Sequence, residues 1–162
     1  MIFASVFNNN VLIGAIIGAI GGLVGVVLVY FRKDQRFNKL LRSVNEPNMS
    51  YAAFYHYASF KRYKNSVKFF DSTGILYIVG NKAYYKTGET SEPVIFNLAE
   101  CTVQMEKDWR MLKWFSITTP AGEKYFFNSH KMGALKNDSS ETVRGFEALN
   151  VKVKSAQQIA SS

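Results

Sequence analysis

Residues 74–86, GILYIVGNKAYYK, decide the fold. An apolar run of Ile, Leu, Tyr and Val meets a second, aromatic run across Gly80-Asn81. Glycine adopts φ > 0 at no steric cost and asparagine tolerates it, so Gly-Asn between such runs is a two-residue hairpin signal. Downstream, the polar loop 87–93 leads into a strand at Val94, Ile95 and Phe96. Residues 101–106 alternate strictly, with Cys101, Val103 and Met105 inward and Thr102, Gln104 and Glu106 toward water. Lys107 and Asp108 make a turn, and residues 111–118 form the next strand. Thr119-Pro120-Ala121-Gly122 has proline and glycine where a type I turn wants them, and residues 124–128 complete that hairpin.

A helix then closes the domain. Asp138 caps it, Glu141 stands three residues later as capping partner, and Val143, Phe146 and Leu149 form its apolar stripe. Residues 155–162 read as a loose tail. Upstream, the aromatics of residues 51–63 fit either a helix or a strand, and a strand suits the β pattern that follows. Short strands at regular spacing predict a mainly β fold: a small antiparallel barrel or sandwich closed by the C-terminal amphipathic helix.

Residues 11–30, VLIGAIIGAIGGLVGVVLVY, carry no charged, amide or hydroxyl side chain before Tyr30. At ~1.5 Å per residue such a run makes a helix of roughly 30 Å, the thickness of a bilayer's hydrocarbon core. The expectation is one N-terminal transmembrane helix over 11–31. Gly14, Gly18, Gly21 and Gly25 lie along one stripe of it, with Gly22 beside them. Small residues spaced by four admit a second helix closely, so the stripe predicts packing with a partner helix, in a homo-oligomer or a hetero-complex. The first ten residues are uncharged, whereas Arg32, Lys33, Arg36, Lys39 and Arg42 follow the span against a single Asp34. Positive charge stays cytoplasmic, which predicts an integral membrane protein with residues 1–10 outside. Residues 32–49 then read as a basic juxtamembrane helix and linker, 50–150 as the β domain and 151–162 as the tail.

The chain has 162 residues and a net charge of +8, of which residues 50–162 hold fifteen basic against ten acidic. Such a balance suits anionic headgroups at a membrane surface. Nucleic acid is not expected, because no recognition motif accompanies the charge. A single cysteine excludes an internal disulfide and suits a reducing compartment. His56 and His130 have no carboxylate or second cysteine at ligand spacing, so no metal or cofactor is expected. No nucleophile, base and oxyanion donor assemble, and the chain does not read as an enzyme.

Six or seven strands followed by one amphipathic helix, with GILYIVGNKAYY and KWFSITTPAGEKYFF as paired strands around glycine turns, resemble the pleckstrin-homology superfold, especially its GRAM and bacterial relatives. The resemblance covers about residues 50–150. It departs at the polar loop 129–137. The family is functionally diverse, and in its lipid-binding relatives basic residues after the first strand hold phosphate headgroups. Lys61, Arg62, Lys64 and Lys68 fit that loop, although their spacing matches only loosely and a solvated charge run is the preferred reading. The function expected is a non-enzymatic membrane scaffold or adaptor whose domain docks protein or the inner leaflet. The alternatives are an anionic-lipid-sensing module and a small accessory subunit of a transport or secretion complex.

Overall fold

The computed structural model describes residues 22, 35–64, 70–108, 112–129, 131–132 and 137–160. The chain divides into two compact units, Met1–Asn38 and Lys39–Ser162. In the first, Gly22 and residues 35–38 are helical. The helix over 35–43 (α1) crosses the boundary, and its end in the second unit buries Leu40 and, just past it, Val44. Lys86 Nζ donates to the Ser43 carbonyl at 3.4 Å, which sets this segment beside the third strand.

Seven strands form one antiparallel sheet. They are β1 (Met49–Ser59), β2 (Ser72–Val79), β3 (Lys82–Lys86), β4 (Val94–Asn97), β5 (Thr102–Met105), β6 (Phe115–Thr118) and β7 (Lys124–Asn128), in the spatial order β4-β3-β2-β1-β7-β6-β5. The Gly80-Asn81 hairpin forms as expected, with Gly80 at φ +57° and Val79 opposite Lys82. The 119–122 turn also forms, Gly122 N–H donating to the Thr119 carbonyl at 2.9 Å. The ambiguous segment resolves into both candidates: β1 ends at Ser59 and a four-residue helix follows, α2 (Phe60–Tyr63). A two-stranded ladder, β8 (Lys131–Met132) with β9 (Asn137–Asp138), fills the polar loop before α3 (Ser140–Ala160). That last helix runs on through most of the expected tail and buries Val153 and Ala156.

The expected barrel or sandwich is instead a single open sheet with two edges, β4 and β5. The turn after β4 stays on the β3 side, because Leu98 N–H donates to the Asn81 carbonyl at 3.0 Å, so β5 pairs only with β6. Side chains bring the two halves together without closing the ladder. Phe96 on β4 lies 5.0 Å from the Tyr125 ring on β7. Four strand intervals separate them, about 19 Å in a flat sheet at ~4.8 Å per strand. The sheet is therefore strongly curled. Its concave face holds Tyr55, Leu76, Ile78, Phe96, Phe115 and Phe127, and Leu149 and Val153 of α3 pack into the same core. On the convex face, Tyr63 of α2 stacks on Phe126 at 4.3 Å and meets the buried Trp114 edge-on at 5.2 Å.

The expected membrane-anchored, N-terminus-out arrangement is also not upheld. Among the described residues no helix is long and apolar enough to cross a membrane. At 21 residues α3 has the length, but it carries Glu141, Arg144, Glu147, Lys152 and Lys154. The run 11–31, Gly22 apart, lies outside the described residues.

Candidate docking groove

Helix α3 is fixed to the sheet at its N-terminal end by a half-buried hydroxyl network. Residues 51 and 55 of β1 share a face by the two-residue period of a strand. The two tyrosine hydroxyls meet at 2.7 Å. Tyr51 donates to Glu141 Oε1 at 2.8 Å and Tyr55 to the Glu141 carbonyl at 2.7 Å. Gly145 makes room for them, since a Cβ there would fall onto Tyr55 Oη, 2.8 Å from its Cζ and 3.0 Å from Tyr51 Oη. One turn earlier, Thr142 Oγ1 accepts from Ser129 N–H at 2.9 Å and donates to the Ser129 carbonyl at 2.7 Å, with both residues buried.

This departs from the expected cap. Asp138 Oδ1 takes the Ser140 N–H at 2.9 Å, while Glu141 turns to the tyrosines and to Arg144, 3.3 Å away. The face toward the core is Thr142, Gly145, Leu149, Val153 and Ala156, with Val143 and Phe146 only half-buried. A glycine inside a helix costs ~1 kcal/mol against alanine, so Gly145 was the one signal in the sequence pointing to this contact.

Burial is the main reason that both hydroxyls ionise far above the ordinary phenol range, and the Glu141 carboxylate adds to it in each. Tyr125, bonded to Glu123, is pushed up to about 12, again chiefly by burial. In the unfolded chain these phenols titrate near ~10. The folded state favours the neutral form, so its advantage is intact below pH ~10 and is lost as pH rises toward the folded values. An alkaline titration followed by phenolate absorbance and circular dichroism should show the Tyr51 and Tyr55 phenolates appearing only with unfolding. Ionisation of all nine tyrosines in a folded chain would contradict the network.

Beside this anchor point lies a groove of about 390 Å³ between α3, the start of β1 and the end of β2. Ser50, Tyr51 and Ile78 line one side, and Arg144, Glu147, Ala148, Val151 and Lys152 the other. Val151 is 62 % exposed although it belongs to a helix whose opposite face is buried. Arg144 and Lys152 stand eight residues apart, roughly 12 Å along the helix axis at ~1.5 Å per residue. A second hollow of about 470 Å³ is lined only by residues between Leu41 and Met49, so it is a dent in one chain segment rather than a convergence of elements. No protein-family model matches the chain, and no curated protein does either.

The structure disperses the residues singled out from sequence. Of the glycine stripe only Gly22 is described; it is helical and exposed, and Gly14, Gly18, Gly21 and Gly25 lie outside the described residues. So do Arg32, Lys33 and Lys68. Arg36 is exposed in the first unit, and Lys39 and Arg42 are exposed in the second. Lys61 and Lys64 are exposed on and after α2, where Lys64 Nζ sits 4.7 Å over the Phe60 ring and Arg62 pairs with Asp71 at 3.1 Å. Cys101 is buried, as its alternation required. Glu106 does not face water freely: it accepts from Ser116 Oγ at 2.6 Å and pairs with Lys124 at 2.7 Å, tying β6 and β7 to the end of β5. Among the described residues no group of His, Cys, Asp and Glu could hold a metal ion.

Proposed function

We propose that the chain is a non-enzymatic adaptor whose β domain docks an extended segment of a partner protein in the groove beside α3. One observation carries this reading: Val151 is exposed over a groove whose walls belong to three elements joined by half-buried tyrosine hydrogen bonds and the β1–β2 ladder. A site of this volume, with an apolar strip at Ala148 and Val151 and a few charged groups at its rim, is of the size that recognises ligands. Lys152 can take a carboxylate, Arg144 is already shared with Glu141, and Glu147 between them can take a lysine or a backbone N–H. The anionic-lipid alternative draws less support, because Arg62 is engaged by Asp71.

Selection of a random peptide library on the purified chain tests the proposal. Enriched peptides should combine an apolar residue with an acidic one, and Val151→Asp should weaken them at least about tenfold, the loss of one central contact. Ile159→Asp, on an exposed residue away from the groove lining, should not. Peptides that bind equally to wild type and Val151→Asp would remove the groove from consideration.

A further inference from the structure

Strand β1 carries one residue more than its partner strand where it enters the groove. Met49 stands opposite Val79 and Tyr51 opposite Ile78, its neighbour on β2, so Ser50 has no partner of its own. From Tyr51 to Tyr57 the β1–β2 register then runs without a shift. The extra residue changes where Ser50 faces. Side chains alternate along a strand, which turns Tyr51, Ala53 and Tyr55 to the concave core and would turn Ser50 with Ala52 to the other face. Ser50 nevertheless lines the groove together with Tyr51, beside α3, whose Ala148 and Leu149 pack on that same core. A bulge re-aims a side chain in this way, and bulges are over-represented next to active sites. Ser50 is exposed, and its hydroxyl donates to the Ile78 carbonyl at 3.4 Å. A hydroxyl has one proton and two lone pairs, so with its proton engaged the oxygen is left to accept from a ligand.

We propose that the bulge at Ser50 equips the groove to read an extended backbone: Ser50 Oγ accepts a main-chain N–H of the docked segment, while Lys152 takes the carboxylate of an acidic residue in that segment. The inference rests on the groove being the docking site. Ser50 and Lys152 belong to opposite walls, so a segment laid between them presents main chain to β1 and a side chain to α3. Every residue but proline offers an N–H, so an acceptor held by the bulge selects an extended conformation without selecting sequence. Sequence is selected on the other wall. Lys152 is half-buried and has no acidic partner among the described residues, whereas Arg144 is held by Glu141. An ammonium that has lost part of its hydration regains it from a carboxylate.

The probe is a synthetic copy of the library peptide most enriched on the full chain, titrated calorimetrically. Ser50→Ala should weaken it about three- to tenfold, the share of one hydrogen bond. Deleting Ser50 joins Met49 to Tyr51 and makes the register continuous. The thermal midpoint should then hold while affinity falls at least about tenfold. Methylating the peptide's amide nitrogens one at a time identifies the contact. One position should cost the wild type about as much as Ser50→Ala does, and should cost Ser50→Ala nothing further. Lys152→Ala should abolish the peptide's preference for its acidic side chain over the corresponding amide. Unchanged binding in Ser50→Ala, identical methylation losses in both chains, or a lowered midpoint on deletion overturns the inference. So does a Lys152 effect that follows the peptide's terminal carboxylate rather than its acidic side chain. The groove reading survives each of these if Val151→Asp still weakens the peptide, whereas a peptide indifferent to Val151→Asp removes both.

Discussion

Gly145→Ala should destabilise the domain by about 2–6 kcal/mol, although the same change in an exposed helix is stabilising by up to ~1 kcal/mol. The sign inverts because the new methyl would lie on Tyr55 Oη, 2.8 Å from its Cζ. Tyr55 has nowhere to retreat: it is fully buried and meets Phe115 and Phe127 edge-on at 5.5 and 6.3 Å. The helix must lift instead, and lifting breaks the bonds from both tyrosines to Glu141. Overpacking of this kind costs ~1–3 kcal/mol, and leaving a buried hydroxyl unsatisfied adds ~1–3. Urea denaturation followed by circular dichroism measures the loss. A double-mutant cycle identifies its origin, because Tyr55→Phe removes the colliding oxygen and should make Gly145→Ala much cheaper in that background. Additive losses, or an unchanged midpoint for Gly145→Ala, would show that the close approach is not what holds α3.

Phe127→Ala should cost about 3–5 kcal/mol, enough to threaten the whole of a typical stability of ~5–15 kcal/mol. Its ring is the hub of the concave face, lying 5.2 Å from Tyr85, 5.6 Å from Phe115, 5.8 Å from Tyr57, 6.1 Å from Phe96 and 6.3 Å from Tyr55. Those partners sit on β3, β6, β1 and β4, so the cavity would open between both halves of the sheet at once. Phe60→Ala is the control, since that ring is exposed and should cost under ~1 kcal/mol. Similar losses for the two variants would mean that the curl of the sheet does not depend on this cluster.

What the sequence made legible was local. Hairpins announce themselves through adjacent residues, so Gly80-Asn81 and the 119–122 turn could be read from a few neighbouring positions alone. The pairing of β1 with β7 could not, because no short-range signal records which distant strand a long aromatic strand will meet. Alternation placed Cys101, Val103 and Met105 correctly and misjudged Glu106, whose partner Lys124 arrives from β7. The groove was invisible for the same reason. Ser50, Tyr51 and Ile78 meet residues 144–152 only after the helix has folded back, and neither segment carries half a motif. The most conspicuous stretch, the apolar run 11–30, points toward a membrane anchor by its hydropathy, yet no described helix can cross a membrane, and the groove belongs to Lys39–Ser162.

The placement of β1 also dictates an order of events during synthesis. It pairs along most of its length with β2, which follows it directly, but residues 56–59 also need β7, and His56 and its partner Asn128 are 72 positions apart in the chain. At ~5–20 residues per second a ribosome takes about 4–14 s to cover that distance. Until then the central strand of the finished sheet is an edge, with its outward N–H and C=O groups bare and Tyr55, Tyr57 and Ala58 uncovered on either face. The four-strand meander β1–β4 can assemble in that interval, since its neighbours are consecutive, whereas α3, which packs on β1, β5 and β6, is synthesised only after β7. A nascent chain stalled short of Lys124 therefore presents, in the middle of what will be the core, the same kind of open ladder that the mature protein keeps only at its rim.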